Sequence, residues 1–190
     1  MDDTYFKDQV FESKDFSVTP LPKGEYENCR FVQCEFSKAD LSLFEFTACV
    51  FDHCNLSLVK LTKTSFSDVT FSNCKMLGIN FENCSAFLFT VAFDTCILNF
   101  SSFYKRTLQK TPFRGCTLHE VDFSEADLSS ADLRNTDLAG AKFENSTLEK
   151  ADFRMAIHYS INPAVNRIKK ARFSAGGIAG LLDQYDIDIT

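Results

Sequence analysis

The residues best equipped for chemistry are eight cysteines: Cys29, Cys34, Cys49, Cys54, Cys74, Cys84, Cys96 and Cys116. Such a set could hold zinc or form a disulfide framework. The spacing speaks against zinc, because no CxxC pair occurs. A disulfide framework needs an oxidising compartment, and the acidic start MDDTYFKDQVFESKDF has no basic stretch followed by an apolar run. The three histidines, His53, His119 and His158, belong to no HExxH motif, and no GxGxxG, GxxxxGK or GxSxG occurs. The expectation is no metal, no cofactor and no catalysis. No stretch approaches the roughly 18 apolar residues of a membrane helix, so the chain reads as cytoplasmic, without membrane contact.

What the cysteines share is a place in a repeat. Apolar residues recur every five positions from Phe6 through Phe11, Phe16, Leu21 and Tyr26 to Phe81. The phase then slips by two residues and runs from Phe93 through Leu98 and Phe103 to Phe153. At 45% apolar composition, so long a run has a chance probability on the order of 10⁻¹⁰. The period is neither 3.6 nor 2, so neither a helix nor a flat strand explains it. A short extended face followed by a bend does. Each face points one large residue inward, the centre, and one small residue two positions before it. Ala126, Ala131, Ala141, Thr64 and Ser101 occupy small positions, and so does every cysteine. Cysteine there is a small buried hydrophobe.

The cysteines also count the faces in a turn. Cys34, Cys54 and Cys74 lie twenty apart, Cys96 follows at twenty-two, and Cys116 at twenty. Four faces per coil align all five, with the two extra residues bulging out. Coils would stack about 4.8 Å apart, giving seven to eight coils over residues 1–156, with a two-residue insertion near 84–92. At that insertion Phe87, Leu88 and Phe89 cannot all face inward. They form either a bulge folded onto the neighbouring face or an exposed apolar contact for a partner.

Charge is uneven. The net charge is −6, which disfavours direct nucleic-acid binding. Residues 119–153 hold nine acidic and three basic side chains, again net −6. The acidic ones are Glu120, Asp122, Glu125, Asp127, Asp132, Asp137, Glu144, Glu149 and Asp152. The aspartates precede centres, where short side chains hydrogen-bond nearby backbone at bends. The glutamates lack that explanation. Together they form a candidate surface for a basic partner groove.

Residues 157–190 read as a short α-helical cap and dimerisation tail. Asn162-Pro163 has the form of a helix start, and Arg167, Lys169 and Lys170 suit that helix's C-terminal end. Lys170-Ala171-Arg172-Phe173 has the spacing of one more strand. Ser174 could cap a second helix, with Ile178, Leu181, Leu182 and Tyr185 at i, i+3, i+4 and i+7. Ile187 and Ile189 then alternate with aspartates. A solenoid must hide its ends. Phe173, Ile178, Leu181, Leu182, Tyr185 and Ile187 are the residues expected to do so.

The run EADLSSADLRNTDLAGAKFENSTLEKADF resembles the pentapeptide-repeat pattern, A-(D/N)-L-X-X, across residues 6–153. The resemblance implies an all-β, right-handed quadrilateral β-helix. CNLSLVKL, CKMLGINF, CILNFSSFYK and the tail INPAVNRIKKARF resemble the topoisomerase-protecting branch. That branch includes Qnr, MfpA and the microcin B17 and albicidin immunity proteins. It implies a homodimer joined through C-terminal elements that resembles duplex DNA and engages DNA gyrase or topoisomerase IV. A generic interaction scaffold with another partner is the alternative.

Overall fold

The computed structural model of the chain describes residues 4–87 and 89–188; Leu88 and Ile189 lie outside them. The chain winds as a four-sided solenoid whose faces we label A to D in chain order. Face A carries parallel strands Thr4–Lys7, Gly24–Glu27, Glu45–Thr47 and Ser65–Ser67. Face B carries Val10–Glu12, Arg30–Val32, Val50–Asp52, Val69–Ser72, Val91–Asp94 and Phe113–Arg114 in one six-stranded parallel sheet. Faces C and D are stitched by single bridges such as Asp15↔Glu35 and Asp40↔Lys60.

Bending every five residues requires a sharp corner, and the backbone supplies one two residues after nearly every centre. Asp8, Leu43, Leu58, Phe100 and Glu120 take φ between 55° and 66° there. The left-handed region costs an L-residue about 1–2 kcal/mol. Most corner amides offset this by donating to a carbonyl of the next coil: Leu58 to Leu77 at 2.8 Å, Phe100 to His119 at 2.8 Å, Glu120 to Ala139 at 2.8 Å.

The interior is a set of stacks. Phe11, Phe31, Phe51, Phe71, Phe93 and Phe113 lie one above another, with ring centroids 4.6–5.4 Å apart. Offset stacking adds about 0.5–1.5 kcal/mol per pair beyond burial. All eight cysteines are buried free thiols. Several donate to carbonyls of the preceding coil, as Cys49 Sγ does to Tyr26 O at 3.2 Å. Burial pushes the Cys49 thiol up to about 11 and that of Cys84 up to about 12.

Pairing at a spacing of twenty becomes twenty-two at Val69↔Val91, Phe71↔Phe93 and Lys75↔Ile97, so the insertion is looped out and the register survives. The chain leaves face A after Cys84. Phe89 returns to the centre position, 6.3 Å from Phe66 and 6.2 Å from Phe81 between ring centroids. Phe87 stands outside, 76% exposed.

The C-terminal region differs from the sequence expectation in three ways. Residues 163–170 form no helix: Arg167 bridges Thr147 and Ile168 packs on the core, while Arg172–Phe173 pairs with Asp152–Phe153 as the strand expected there. The solenoid therefore passes 156 and ends at Phe173, nine rungs of face B counted from Phe11. The tail then turns as 3₁₀ helix, Ala175–Leu181 and Asp183–Tyr185, not α-helix. Ser174 makes no side-chain cap; its Oγ accepts the Met155 amide at 2.9 Å. The tight turn follows from Gly177 and Gly180, which lie flat on Tyr159 where a Cβ would overlap it. The Ile161 amide donates to Gly180 O at 2.8 Å, and Phe173 stacks on Phe153 at 5.2 Å, closing the rod's end.

Candidate partner-binding surface

A spacing of twenty sorts the acidic residues by face. Asp127 and Glu149 stand on A, Asp132 and Asp152 on B, Asp137 on C, and Asp122 and Glu144 on D. Glu120 and Glu125 occupy the corners at either end of D. The block is thus spread around the circumference.

All five aspartates accept the amide two residues on: Ser124 at 2.8 Å, Ser129 at 2.9 Å, Arg134 at 3.3 Å, Ala139 at 3.3 Å and Arg154 at 3.1 Å. Asp15 and Asp40 do the same far from the block. This is the backbone role the repeat requires, and it leaves the aspartates half-buried.

On face B the carboxylates are also neutralised. Asp132 accepts Nε and Nη2 of Arg134 at 2.8 Å each and Nε of Arg114 at 2.5 Å. These bonds, above all that from Arg134, outweigh burial and hold Asp132 far below the usual carboxylate range. Asp152 is gripped by Arg154 in the same way and is likewise lowered. On face C, Asp137 lies between His119 Nε2 at 2.9 Å and His158 Nδ1 at 2.8 Å. Burial raises its carboxyl, but the two imidazoles and the Ala139 amide outweigh this and keep it lowered.

What stays acidic and outward is the glutamate set around face D. Glu144 is exposed beside Lys142. Glu125 accepts the Tyr104 hydroxyl at 2.8 Å and lies 3.4 Å from Lys105. Glu120 extends over Gly140, whose missing side chain makes room for its carboxylate.

Of the bulge residues, the structure turns Phe89 inward and Phe87 outward. Holding the loop before them and the Phe89 ring is Arg106, which the sequence reading passed over. It occupies the small inward position before Leu108 and is the only charged side chain buried among the described residues. Nη1 reaches Cys84 O at 3.2 Å, Nη2 reaches Ser85 O at 2.9 Å, and the guanidinium lies 4.0 Å over the Phe89 ring. The signal was present: a charged residue in a column of Ala, Ser, Thr and Cys.

At the tail, Phe173 and Leu181 pack against the core and Leu182 is half-buried. Ile178, Tyr185 and Ile187 remain 48%, 58% and 55% exposed, an apolar rim at the rod's end. Among the described residues no His, Cys, Asp and Glu cluster could hold a metal, and no helix is long and apolar enough to cross a membrane.

Comparison of the whole chain finds no match among curated proteins. Among solved structures, two trypsin-treated variants of QnrB1, a plasmid-mediated fluoroquinolone resistance protein, are similar in fold. One has a TM-score of 0.64 at 17% identity, covering 98% of this chain and 100% of that one. The other has a TM-score of 0.62 at 18% identity, covering 97% and 99%. HetL, a pentapeptide repeat protein involved in heterocyst differentiation regulation in the cyanobacterium Nostoc sp., gives 0.49 at 16% identity over 88% and 84%. A family model described as a pentapeptide repeat region matches residues 22–86 and 86–157. With its five-residue period, left-handed corners and filled square interior, this chain belongs to the pentapeptide-repeat family.

Proposed function

We propose that the protein is a non-catalytic binder of a bacterial type II topoisomerase, DNA gyrase or topoisomerase IV. It would occupy the place of duplex DNA and so protect the enzyme from quinolones or peptide toxins. The observation that carries this reading is a continuous rod with an outward glutamate set, Glu120, Glu125 and Glu144, near one end. Its fold is shared end to end with a fluoroquinolone resistance protein. The interior of the coil is filled by Phe and Leu and leaves no room for a substrate, which favours binding over catalysis. The rim of Ile178, Tyr185 and Ile187 supports a homodimer joined tail to tail, which would set two glutamate sets about one centre.

The test is supercoiling by purified gyrase with and without a quinolone, alongside binding at several salt concentrations and light scattering of the protein alone. The expected mass is twice 21.5 kDa, and binding should weaken steeply with salt. Glu120→Lys, Glu125→Lys and Glu144→Lys together should abolish it with the fold intact, because none of the three accepts a backbone amide as the aspartates do. A protein that neither binds either enzyme at low salt nor changes drug sensitivity would instead be a scaffold for another partner, with Phe87 the first contact to examine.

A further inference from the structure

The same spacing that scatters the acids gathers cations. Arg114, Arg134 and Arg154 stand in one column on face B, each following a centre, and Arg172 joins them at the last rung. Lys110, Lys150 and Lys170 form a parallel column along the corner between A and B, each with φ of 60–61°. Seven cations thus stand over two carboxylates, Asp132 and Asp152, with Asp94 and Glu149 at the margins, a local charge of seven minus four, or +3, on a chain of net −6. The carboxylates lie beneath, 17% and 15% exposed, while the arginine side chains are 41–66% exposed above them. Each bidentate pair uses Nε and Nη2 of its arginine, which fixes the guanidinium plane and leaves Nη1 for a second acceptor. Arg134, Lys150, Lys170 and Arg172 rim an open cleft over the two aspartates. Asp94 bounds the arginine column at its far end, and Glu149 flanks Lys150 on face A.

We propose that this strip docks an acidic protein segment, a flexible run rich in Asp and Glu. The inference stands apart from the topoisomerase reading, which uses the opposite side of the rod. Carboxylates on a flexible chain can each seek a separate guanidinium and step around Asp132 and Asp152. A duplex carries a charge about every 1.7 Å of its axis and cannot. Its field also extends over the glutamate side of this chain, whereas a short peptide sits within the roughly 8–10 Å screening distance of the strip. No aromatic side chain lies on the strip to stack a base.

The test is fluorescence anisotropy with a labelled oligoglutamate peptide and, separately, a labelled duplex DNA of equal charge. The intact protein should bind the peptide at low salt. Arg134→Gln, Arg154→Gln, Lys150→Gln and Lys170→Gln together should weaken binding about tenfold or more, as for close complementary charges. Lys105→Gln with Lys142→Gln, on face D, should leave it unchanged. Should the fourfold variant misfold in a thermal melt, Lys150→Gln with Lys170→Gln keeps both Arg–Asp pairs and should still weaken binding about threefold. Peptide binding that survives these substitutions, duplex binding as tight as peptide binding, or no peptide binding at low salt would each overturn the proposal.

Discussion

Replacing Phe71 by alanine tests whether the rod is held by its stacks. Phe71 is wholly buried. Its ring lies 5.1 Å from Phe51 and 5.4 Å from Phe93, nearly parallel to both, and edge-on to Phe66 at 5.7 Å. Truncating a buried Phe costs about 3–5 kcal/mol. With coils fixed above and below by backbone ladders the cavity cannot collapse, so the cost should fall at about 4–5 kcal/mol. At about 2–4 °C per kcal/mol for a chain of this size, the melting temperature should drop by roughly 8–20 °C. Phe71→Leu loses both stacked pairs and should cost about 1–3 kcal/mol, less than Phe71→Ala because a leucine still fills most of the site, as Leu133 does in the same column. Phe11→Ala, at a half-covered end with one stacked partner, should cost about half as much as Phe71→Ala, because repeats gain stability from both neighbours. Urea unfolding followed by circular dichroism measures all three. A cost under about 1.5 kcal/mol for Phe71→Ala, or equal costs at Phe11 and Phe71, would refute the stacking account.

Three further outcomes are expected. Arg106→Met removes donors from two carbonyls but also a buried, unpartnered Nε; the net loss should be about 1–3 kcal/mol, and limited proteolysis should cut residues 85–90 faster, with an unchanged cutting rate counting against the clamp. Native protein should react slowly with Ellman's reagent, since burial raises thiols such as Cys49 and Cys84 to about 11 and 12, and all eight should react in urea; rapid native labelling would contradict the inward columns. Asp132 and Asp152 are lowered chiefly by Arg134 and Arg154, so their stabilisation is full above the unfolded carboxylate pKa near 3.9 and is lost as pH falls through the folded values; Asp132→Asn with Asp152→Asn should flatten acid denaturation below about pH 4, and an unaltered acid limb would show the pairs contribute nothing.

The fold was legible because its determinants repeat. A Phe or Leu every fifth residue fixes the centres, and cysteines at twenty and twenty-two fix four faces and locate the bulge. The surface was not legible, because charge counted along the chain hides where each residue points. Asp132 and Asp137 are five apart in sequence yet on different faces, while Arg114 and Arg134 are twenty apart and stacked. The tail misled for another reason. Pro163 and the i, i+4 apolar spacing resemble helix signals, but ladder bonds to the preceding coil claim Arg167, and Gly177 and Gly180 let the remainder close down on Tyr159.

Because one turn takes twenty residues, angle about the rod axis is encoded as position modulo twenty. Removing a single five-residue face would leave every inward contact type intact, yet rotate everything after it by a quarter turn. A deletion just before Arg114 would carry the arginine column onto face A, the side now holding Leu108 and the loop after Cys84, away from the earlier rungs of face B. Lost or gained length is therefore silent in angle only in whole turns, or when, like the two residues near Phe87, it is expelled from the wall.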